Sequence, residues 1–168
     1  DMSPISLEKK KELRAKFGLS DKTIIIGKVG RNQLRKEYGQ LLIAFSEYKK
    51  ENPGADIKLH FHTSWSEKGA GWDLEKLIKY YEIDPKDILC TYVCRHCGEW
   101  TVGPYRGEDI DCPKCGAQKS QITANIQHGI PNEEMKYLYG LWDAGINVHT
   151  SGGQELNCCN TLLCGLPL

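Results

Sequence analysis

Alternating apolar and polar stretches divide the chain into predicted strands and helices. The β-branched run at 23–26 is typical of a strand buried on both faces, and 57–62 alternates as a second strand. Further strands are predicted from 87, over 121–126 and over 145–149, and helices over 7–17, about 35–51, from 73, after Pro131 and over 158–163. This alternation predicts right-handed βαβ units. The expected fold class is α/β, a Rossmann-like parallel sheet with helices on both faces.

Composition then narrows the function classes. The 168 residues include 22 Lys+Arg and 22 Asp+Glu, so the formal net charge is zero. This balance argues against a general polyanion binder, and no nucleic-acid partner is expected. No run approaches the roughly 18 apolar residues of a membrane span. The first residues lack the apolar core of a signal peptide, so a cytoplasmic location without a membrane span is predicted.

Eight cysteines carry the clearest chemistry. Two knuckles, CRHCG at 94–98 and CPKCG at 112–116, each hold a Cys-x2-Cys pair followed by glycine, with 14 residues between Cys97 and Cys112. Four thiolates at this spacing can bind one ion tetrahedrally, which predicts a structural Zn2+ site at Cys94, Cys97, Cys112 and Cys115. Iron uses the same ligands, so zinc and iron both stay open, as do ordinary buried or disulfide-paired cysteines. Four protein ligands leave no open position for catalysis.

The knuckles define a predicted zinc ribbon at 90–119. Such a ribbon is either a stabilising insertion or a surface that recognises protein or nucleic acid. Its cations include Arg95 and Lys114, but nearby acidic residues balance them, which favours the stabilising insertion. The other cysteines near the C-terminal end, Cys158, Cys159 and Cys164, are expected to pack as small apolar residues.

A glycine-bearing loop, GRNQLRK at 30–36, lies between the first predicted strand and a helix. A helix N-terminus after such a turn favours an anion, and Arg31 and Lys36 can add charge-assisted contacts to a diphosphate. Basic residues in a loop are also often merely solvated.

The chain resembles the C-terminal, donor-binding half of a GT-B glycosyltransferase of the retaining family 4 type. The similar stretches are IIIGKVGRNQLRKEYGQLLIAFSEYKKENPGADIKLHFHTS and HGIPNEEMKYLYGLWDAGINVHTSGGQELNCCNTLLCGLPL, which cover roughly 20–62 and 121–168. The ribbon has no counterpart in the family pattern. The predicted domains are therefore a Rossmann-like nucleotide-sugar-binding domain over 1–89 and 120–168, interrupted by the ribbon.

The resemblance assigns the donor-site residues. Arg31 and Lys36 would bind the donor diphosphate and stabilise the charge that grows on the leaving nucleotide, while Gly30 allows close backbone approach. The family's acidic pair falls at Gly152 and Asn160, neither of which is acidic. Asn160 is predicted to bond a ribose hydroxyl, and the backbone of Gly152 and Gly153 to face phosphate. Glu155 is either a sugar contact or a solvated carboxylate, and His128 is placed at the cleft.

The resemblance implies a glycosyltransferase donor-binding domain. It would transfer a sugar with retention from a UDP- or GDP-linked donor to an unknown sugar, lipid or protein acceptor. The family's N-terminal acceptor-binding half is not in this sequence, so little turnover is expected from this chain alone. The stop at 164–168, where the family enters its next strand, suggests a truncated domain. The alternative is a non-catalytic zinc-ribbon module that binds protein or nucleic acid on a degenerate α/β scaffold.

Overall fold

A computed structural model describes residues 2–65, 71–151 and 155–168. Its helices are α1 (Leu7–Lys16), α2 (Tyr38–Glu51), α3 (Leu74–Tyr80), α4 (Met135–Gly140) and α5 (Leu156–Leu163). Its strands are β1 (Ile24–Val29), β2 (Ile57–His62), β3 (Ile88–Cys94), β4 (Trp100–Pro104), β5 (Gln121–Thr123) and β6 (Ala144–Gly145). Short 3-10 turns precede α2 at Leu34–Lys36 and β3 at Pro85–Asp87.

The strands described form one mixed, mostly parallel sheet in the order β4-β3-β2-β1-β6. β1 pairs in parallel with both β2 and β6, and β2 pairs in parallel with β3. The α/β class expected from the sequence is confirmed. The parallel strands place Val29 of β1 beside His62 of β2, so both strands end at the same edge of the sheet. This edge is called the carboxyl edge below.

Two predictions about the middle of the chain need correction. The strand expected to rejoin the parallel sheet at 121–126 is only β5, and it runs antiparallel to β3. The strand begun at 87–89 continues to Cys94, so the domain boundary predicted between 89 and 90 falls inside β3. The physical reason is that all seven residues of β3 are buried. β4 pairs along one edge of β3, and β5 takes the place of β2 on the other edge beyond Cys90.

The ribbon thus extends the main sheet. β4 pairs with one side of β3 from Leu89 to Val93, while β5 pairs with Tyr92–Cys94 beyond the reach of β2. The chain then leaves β5 toward the carboxyl edge, where the Ala124 N–H donates to the Thr91 carbonyl at 2.9 Å. The knuckles and the carboxyl edge are therefore connected through a single strand.

Apolar side chains cover both faces of the sheet. α2 and α3 pack on one face with a cluster that includes Leu42, Phe45, Ile78 and Phe61. α1 and α4 pack on the other with Leu13, Ile25, Leu138 and Trp142. Trp142 lies so close to β1 that a Cβ on Gly27 would fall 1.8 Å from its ring, so only glycine fits there.

Candidate functional site

The four knuckle cysteines meet at one point. The Sγ atoms of Cys94, Cys97, Cys112 and Cys115 all lie within 4.8 Å of one another. Cys94 Sγ is 3.8 Å from Cys115 Sγ, and Cys97 Sγ is 3.9 Å from Cys112 Sγ. A tetrahedral ion with Zn–S bonds of about 2.3 Å would hold its sulfurs about 3.8 Å apart. The thiols can therefore hold one metal ion.

The local backbone explains why the thiols converge. Gly98 and Gly116 take positive φ values of 73° and 71°, which turn the chain back after each pair. Gly98 N–H then donates to the Cys94 carbonyl at 2.9 Å, and Gly116 N–H donates to the Cys112 carbonyl at 2.9 Å. In the first knuckle the Cys97 amide N–H donates to Cys94 Sγ at 3.5 Å. The glycine that follows each cysteine pair therefore closes its knuckle.

The surroundings of Cys94 favour a thiolate. Burial raises the pKa of this thiol, but hydrogen bonds from Ser120 and from the Cys97 and His96 amides outweigh burial and lower the pKa to about 6. Ser120 Oγ lies 3.3 Å from Cys94 Sγ. Cys90 behaves differently. Burial raises its pKa, and its Sγ lies 3.5 Å from the Gly103 carbonyl, so it is a packed thiol outside the cluster.

Two surface cations of the ribbon, Arg95 and Lys114, are held in ion pairs. Arg95 lies 2.5 Å from Asp109, and Lys114 contacts Glu99, which also pairs with Lys16 of α1 at 3.0 Å. The last pair ties the knuckle to the main domain. Arg95 and Lys114 are therefore already matched by carboxylates.

At the carboxyl edge the structure brings two predicted donor-site residues together. Lys36 is 9% exposed, and its Nζ donates to both carboxylate oxygens of Glu155, at 2.6 and 2.7 Å. The hydrogen bond from Lys36 lowers the pKa of Glu155 below its usual range. Glu155 precedes α5, so this pair connects the loop after β1 to the start of the last helix. Glu155 is thus the ion-pair partner of Lys36 and not simply a solvated carboxylate, while its predicted contact with the sugar stays a prediction.

A third cation, Lys28, was missed by sequence reasoning. It lies in β1, is 1% exposed, and donates from Nζ to the Val148 carbonyl at 3.0 Å. Its ammonium also lies 5.3 Å from the centre of the Tyr38 ring. Burial, together with the nearby charge of Lys36, lowers the pKa of Lys28 to about 8. The sequence signal was a lysine inside an otherwise apolar strand, one residue before the strand ends.

A cavity of about 320 Å3 opens at the same edge. Its walls are the end of β1 and the following loop, the end of β2, and the segment after β5, through the residues Val29, Gly30, Arg31, His62, Thr63, Ser64, Ala124, Asn125, Ile126 and Gln127. Arg31 and Gly30, both predicted for the donor site, line it. The Tyr38 hydroxyl donates to the Gly30 carbonyl at 2.8 Å and fixes the loop.

The other predicted donor-site residues lie around this region. His128 closes a turn with Asn125: the Asn125 amide donates to the His128 carbonyl at 2.9 Å, and the His128 amide donates to Asn125 Oδ1 at 3.0 Å. That turn supplies part of the cavity wall. Asn160 lies inside α5. The Tyr139 hydroxyl, which packs against the start of that helix, donates to Asn157 Oδ1 at 3.0 Å. Burial raises the pKa of Tyr139 to about 12. Gly152 and Gly153 lie outside the described residues.

Within the described ranges, none of the helices combines the length and apolarity needed to cross a membrane. Comparison with known proteins adds no relative: no family model matches the chain, and no curated protein matches it.

Proposed function

We propose that the carboxyl edge binds the diphosphate of a nucleotide-sugar, and that the protein acts in retaining glycosyl transfer. The observation that carries this proposal is the arrangement of Lys28, Arg31 and Lys36. Lys28 lies near the end of β1, Arg31 in the loop that follows it, and Lys36 in the short turn before α2. Arg31 also borders the cavity. An anion with two phosphates matches such a group of cations, and the expected resemblance to GT-B enzymes supplies the substrate class.

The pair between Lys36 and Glu155 defines how the anion would enter. In the structure the Lys36 ammonium pairs with the Glu155 carboxylate, with Nζ and Oε1 2.6 Å apart. A diphosphate carries more charge than one carboxylate, so it can replace Glu155 or share the ammonium with it. During transfer, negative charge grows on the leaving diphosphate, and fixed cations stabilise that charge more than they stabilise the intact donor. Glu155, once displaced, is free to accept hydrogen bonds from sugar hydroxyls.

We propose zinc as the ion of the four-cysteine cluster, with a structural role. The observed sulfur separations suit one tetrahedral ion. An iron–sulfur cluster would divide the four thiolates between two or four iron atoms, so that thiolates on different irons would lie further apart. The ion would supply folding energy to a segment that has almost no apolar core of its own. Elemental analysis of the purified protein separates zinc from mononuclear iron.

Calorimetric titration with UDP and GDP tests the donor site. We expect one of them to bind at micromolar to millimolar concentration, and both Arg31→Ala and Lys36→Ala to weaken binding about tenfold or more, since each removes a charge-assisted contact. Lys22→Ala is the matched control, because Lys22 is exposed and lies before β1, at the opposite edge of the sheet. If neither nucleotide binds at millimolar concentration, the donor-site proposal is wrong.

A further inference from the structure

A chain of hydrogen bonds runs from the core to the cavity. Trp142 Nε1 lies 2.9 Å from His60 Nδ1, and His60 Nε2 lies 3.0 Å from Thr91 Oγ1. Thr91 Oγ1 in turn lies 3.0 Å from His62 Nδ1. Trp142, His60 and Thr91 are 0% exposed, while His62 is partly exposed and lines the cavity. The chain is therefore buried at one end and reaches the cavity at the other.

The first bond has only one possible direction. An indole nitrogen donates and never accepts, so Trp142 Nε1–H must donate to His60 Nδ1. His60 is neutral, because complete burial and the neighbouring His62 lower its pKa to about 3. A neutral imidazole that accepts at Nδ1 carries its proton on Nε2. His60 Nε2–H therefore donates to the Thr91 hydroxyl oxygen.

The bond from His60 to Thr91 influences which way the bond between Thr91 and His62 runs. Among the residues that the structure describes, the two imidazole nitrogens are the side-chain partners of the Thr91 hydroxyl. The oxygen has a second lone pair and could accept from His62 as well, but its own proton would then lack a side-chain acceptor among the described residues. The arrangement that uses this proton makes His62 Nδ1 the acceptor. Burial also lowers the pKa of His62 to about 4, so at neutral pH the ring holds one proton, on Nε2.

We propose that His62 is a specificity-determining residue of the cavity: a neutral imidazole that presents a fixed Nε2–H donor to an uncharged acceptor oxygen of the ligand. Its Nδ1 is turned to the buried Thr91, which leaves Nε2 as the polar ring atom for a molecule in the cavity. Trp142, His60 and Thr91 act as positioning residues, because they hold the ring and select its tautomer.

This proposal rests on the proposed function for the identity of its ligand. Arg31 borders the same cavity and would hold a phosphate group. A neutral N–H donor beside it suits a carbonyl or hydroxyl oxygen of the nucleoside or the sugar, since such an atom is an acceptor without charge. The cation would then provide affinity for the diphosphate, and His62 would distinguish the group attached to it.

Nitrogen-15 NMR of histidine rings in the ligand-free protein tests the tautomer. We expect His60 and His62 both to carry the proton on Nε2 at pH 7. The ring signals are assigned from variants that each replace one histidine, such as His62→Phe. In Thr91→Val, which lacks the hydroxyl, we expect His62 to become a mixture of tautomers while His60 keeps its own. A proton on Nδ1 of His62, or a doubly protonated ring at pH 7, would overturn the proposal.

Binding measurements test the recognition. We expect His62→Phe to weaken UDP or GDP binding about fivefold, the effect of one neutral hydrogen bond, and to leave inorganic pyrophosphate binding unchanged. Equal loss for nucleotide and pyrophosphate, or no loss for nucleotide, contradicts the recognition role. If the wild-type protein binds neither ligand, the proposed function fails. The tautomer spectra then decide the donor assignment on their own.

Discussion

Removing the metal ion should unfold the ribbon tip while the parallel part of the sheet remains folded. The perturbation is chelation, or the variant Cys112→Ala. Between 105 and 119 the structure buries one residue, Cys112. Trp100 and Val102 lie in β4 and pack with the main domain. Tyr105 and Ile110 of the tip contact the core on the other face of the sheet and are only partly buried. The rest of the tip therefore depends on the metal site, to which it contributes Cys112 and Cys115, for its order.

The magnitude follows from the length of this tip. Ordering its fifteen residues costs about 15 kcal/mol of backbone entropy, at about 1 kcal/mol per residue. Tetrahedral zinc binding in small domains contributes about 10–16 kcal/mol. The two terms nearly cancel when metal is present. Without metal, the scattered hydrogen bonds and ion pairs of the tip cannot replace a contribution of this size.

Hydrogen exchange with mass spectrometry measures the effect. The amide of Cys112 donates to the Ala117 carbonyl at 3.0 Å, and the amide of Gly116 donates to the Cys112 carbonyl at 2.9 Å. We expect both amides to be protected in the metal-bound protein and to exchange at the rate of an unfolded chain after chelation. The amides of β1 and β2 should stay protected in both states.

A control variant separates the loss of a metal-binding cysteine from general destabilisation of the fold. Cys164→Ala removes a buried thiol, 7% exposed, that lies outside the cluster. This variant should keep one equivalent of metal and a protected tip, while Cys112→Ala should lose both. The reasoning is refuted if the chelated protein keeps full protection at Cys112 and Gly116. It is also refuted if the wild-type protein contains less than about half an equivalent of zinc or iron.

Three further predictions concern the buried charges and histidines. Asp143→Ala should lower the free energy of urea unfolding by about 2–3 kcal/mol, because it leaves the buried guanidinium of Arg14, 2.7 Å from that partly exposed carboxylate, with carbonyl partners only; a loss below about 1 kcal/mol would contradict this. Lys28→Met should raise the unfolding free energy at pH 7 by about 1–2 kcal/mol, since burial lowers the pKa of Lys28, while weakening pyrophosphate binding; a destabilised variant would show that the bond to Val148 outweighs burial. Acid should destabilise the fold through His60 and His62. Burial lowers their pKa values to about 3 and 4, so below pH 6.5 the unfolded chain binds more protons and stability falls by about 2 kcal/mol per histidine by pH 5. Comparison with His62→Phe, whose dependence on pH should be about half as steep, cancels the contribution of metal loss; equal slopes would contradict the assignment.

The ribbon is joined directly to one wall of the cavity. β5 carries the chain from the second knuckle to the residues 124–127, which line the cavity. The Thr123 hydroxyl and amide both donate to Glu108 within the ribbon, and the Ala124 amide donates to β3. The metal-held tip and the cavity wall are the segments on either side of β5. Loss of the metal should therefore also weaken nucleotide binding.

Local patterns in the sequence were enough for the α/β class and for the knuckles. The strand at 57–62 and the helix that ends at Glu51 are read from periodicity, because burial on one face repeats at the period of the element. Cysteine spacing within each knuckle determines how close its two sulfurs can come. The glycine after each pair permits the positive φ that brings them together.

The tertiary structure alone decided the direction of β5 and the identity of the charge partners. An antiparallel strand of three residues has no distinctive period, and its partner β3 is chosen by which edge β2 leaves open. Lys36 and Glu155 are 119 residues apart, and Trp142 and His60 are 82 apart, so no local spacing relates them. Packing of α5 and α4 against the sheet brings these groups into contact, and the direction of the His62 hydrogen bond follows from that packing. The sequence determined which chemistry the chain carries, and long-range packing determined which groups meet, because hydrogen bonds and ion pairs depend on distance in space.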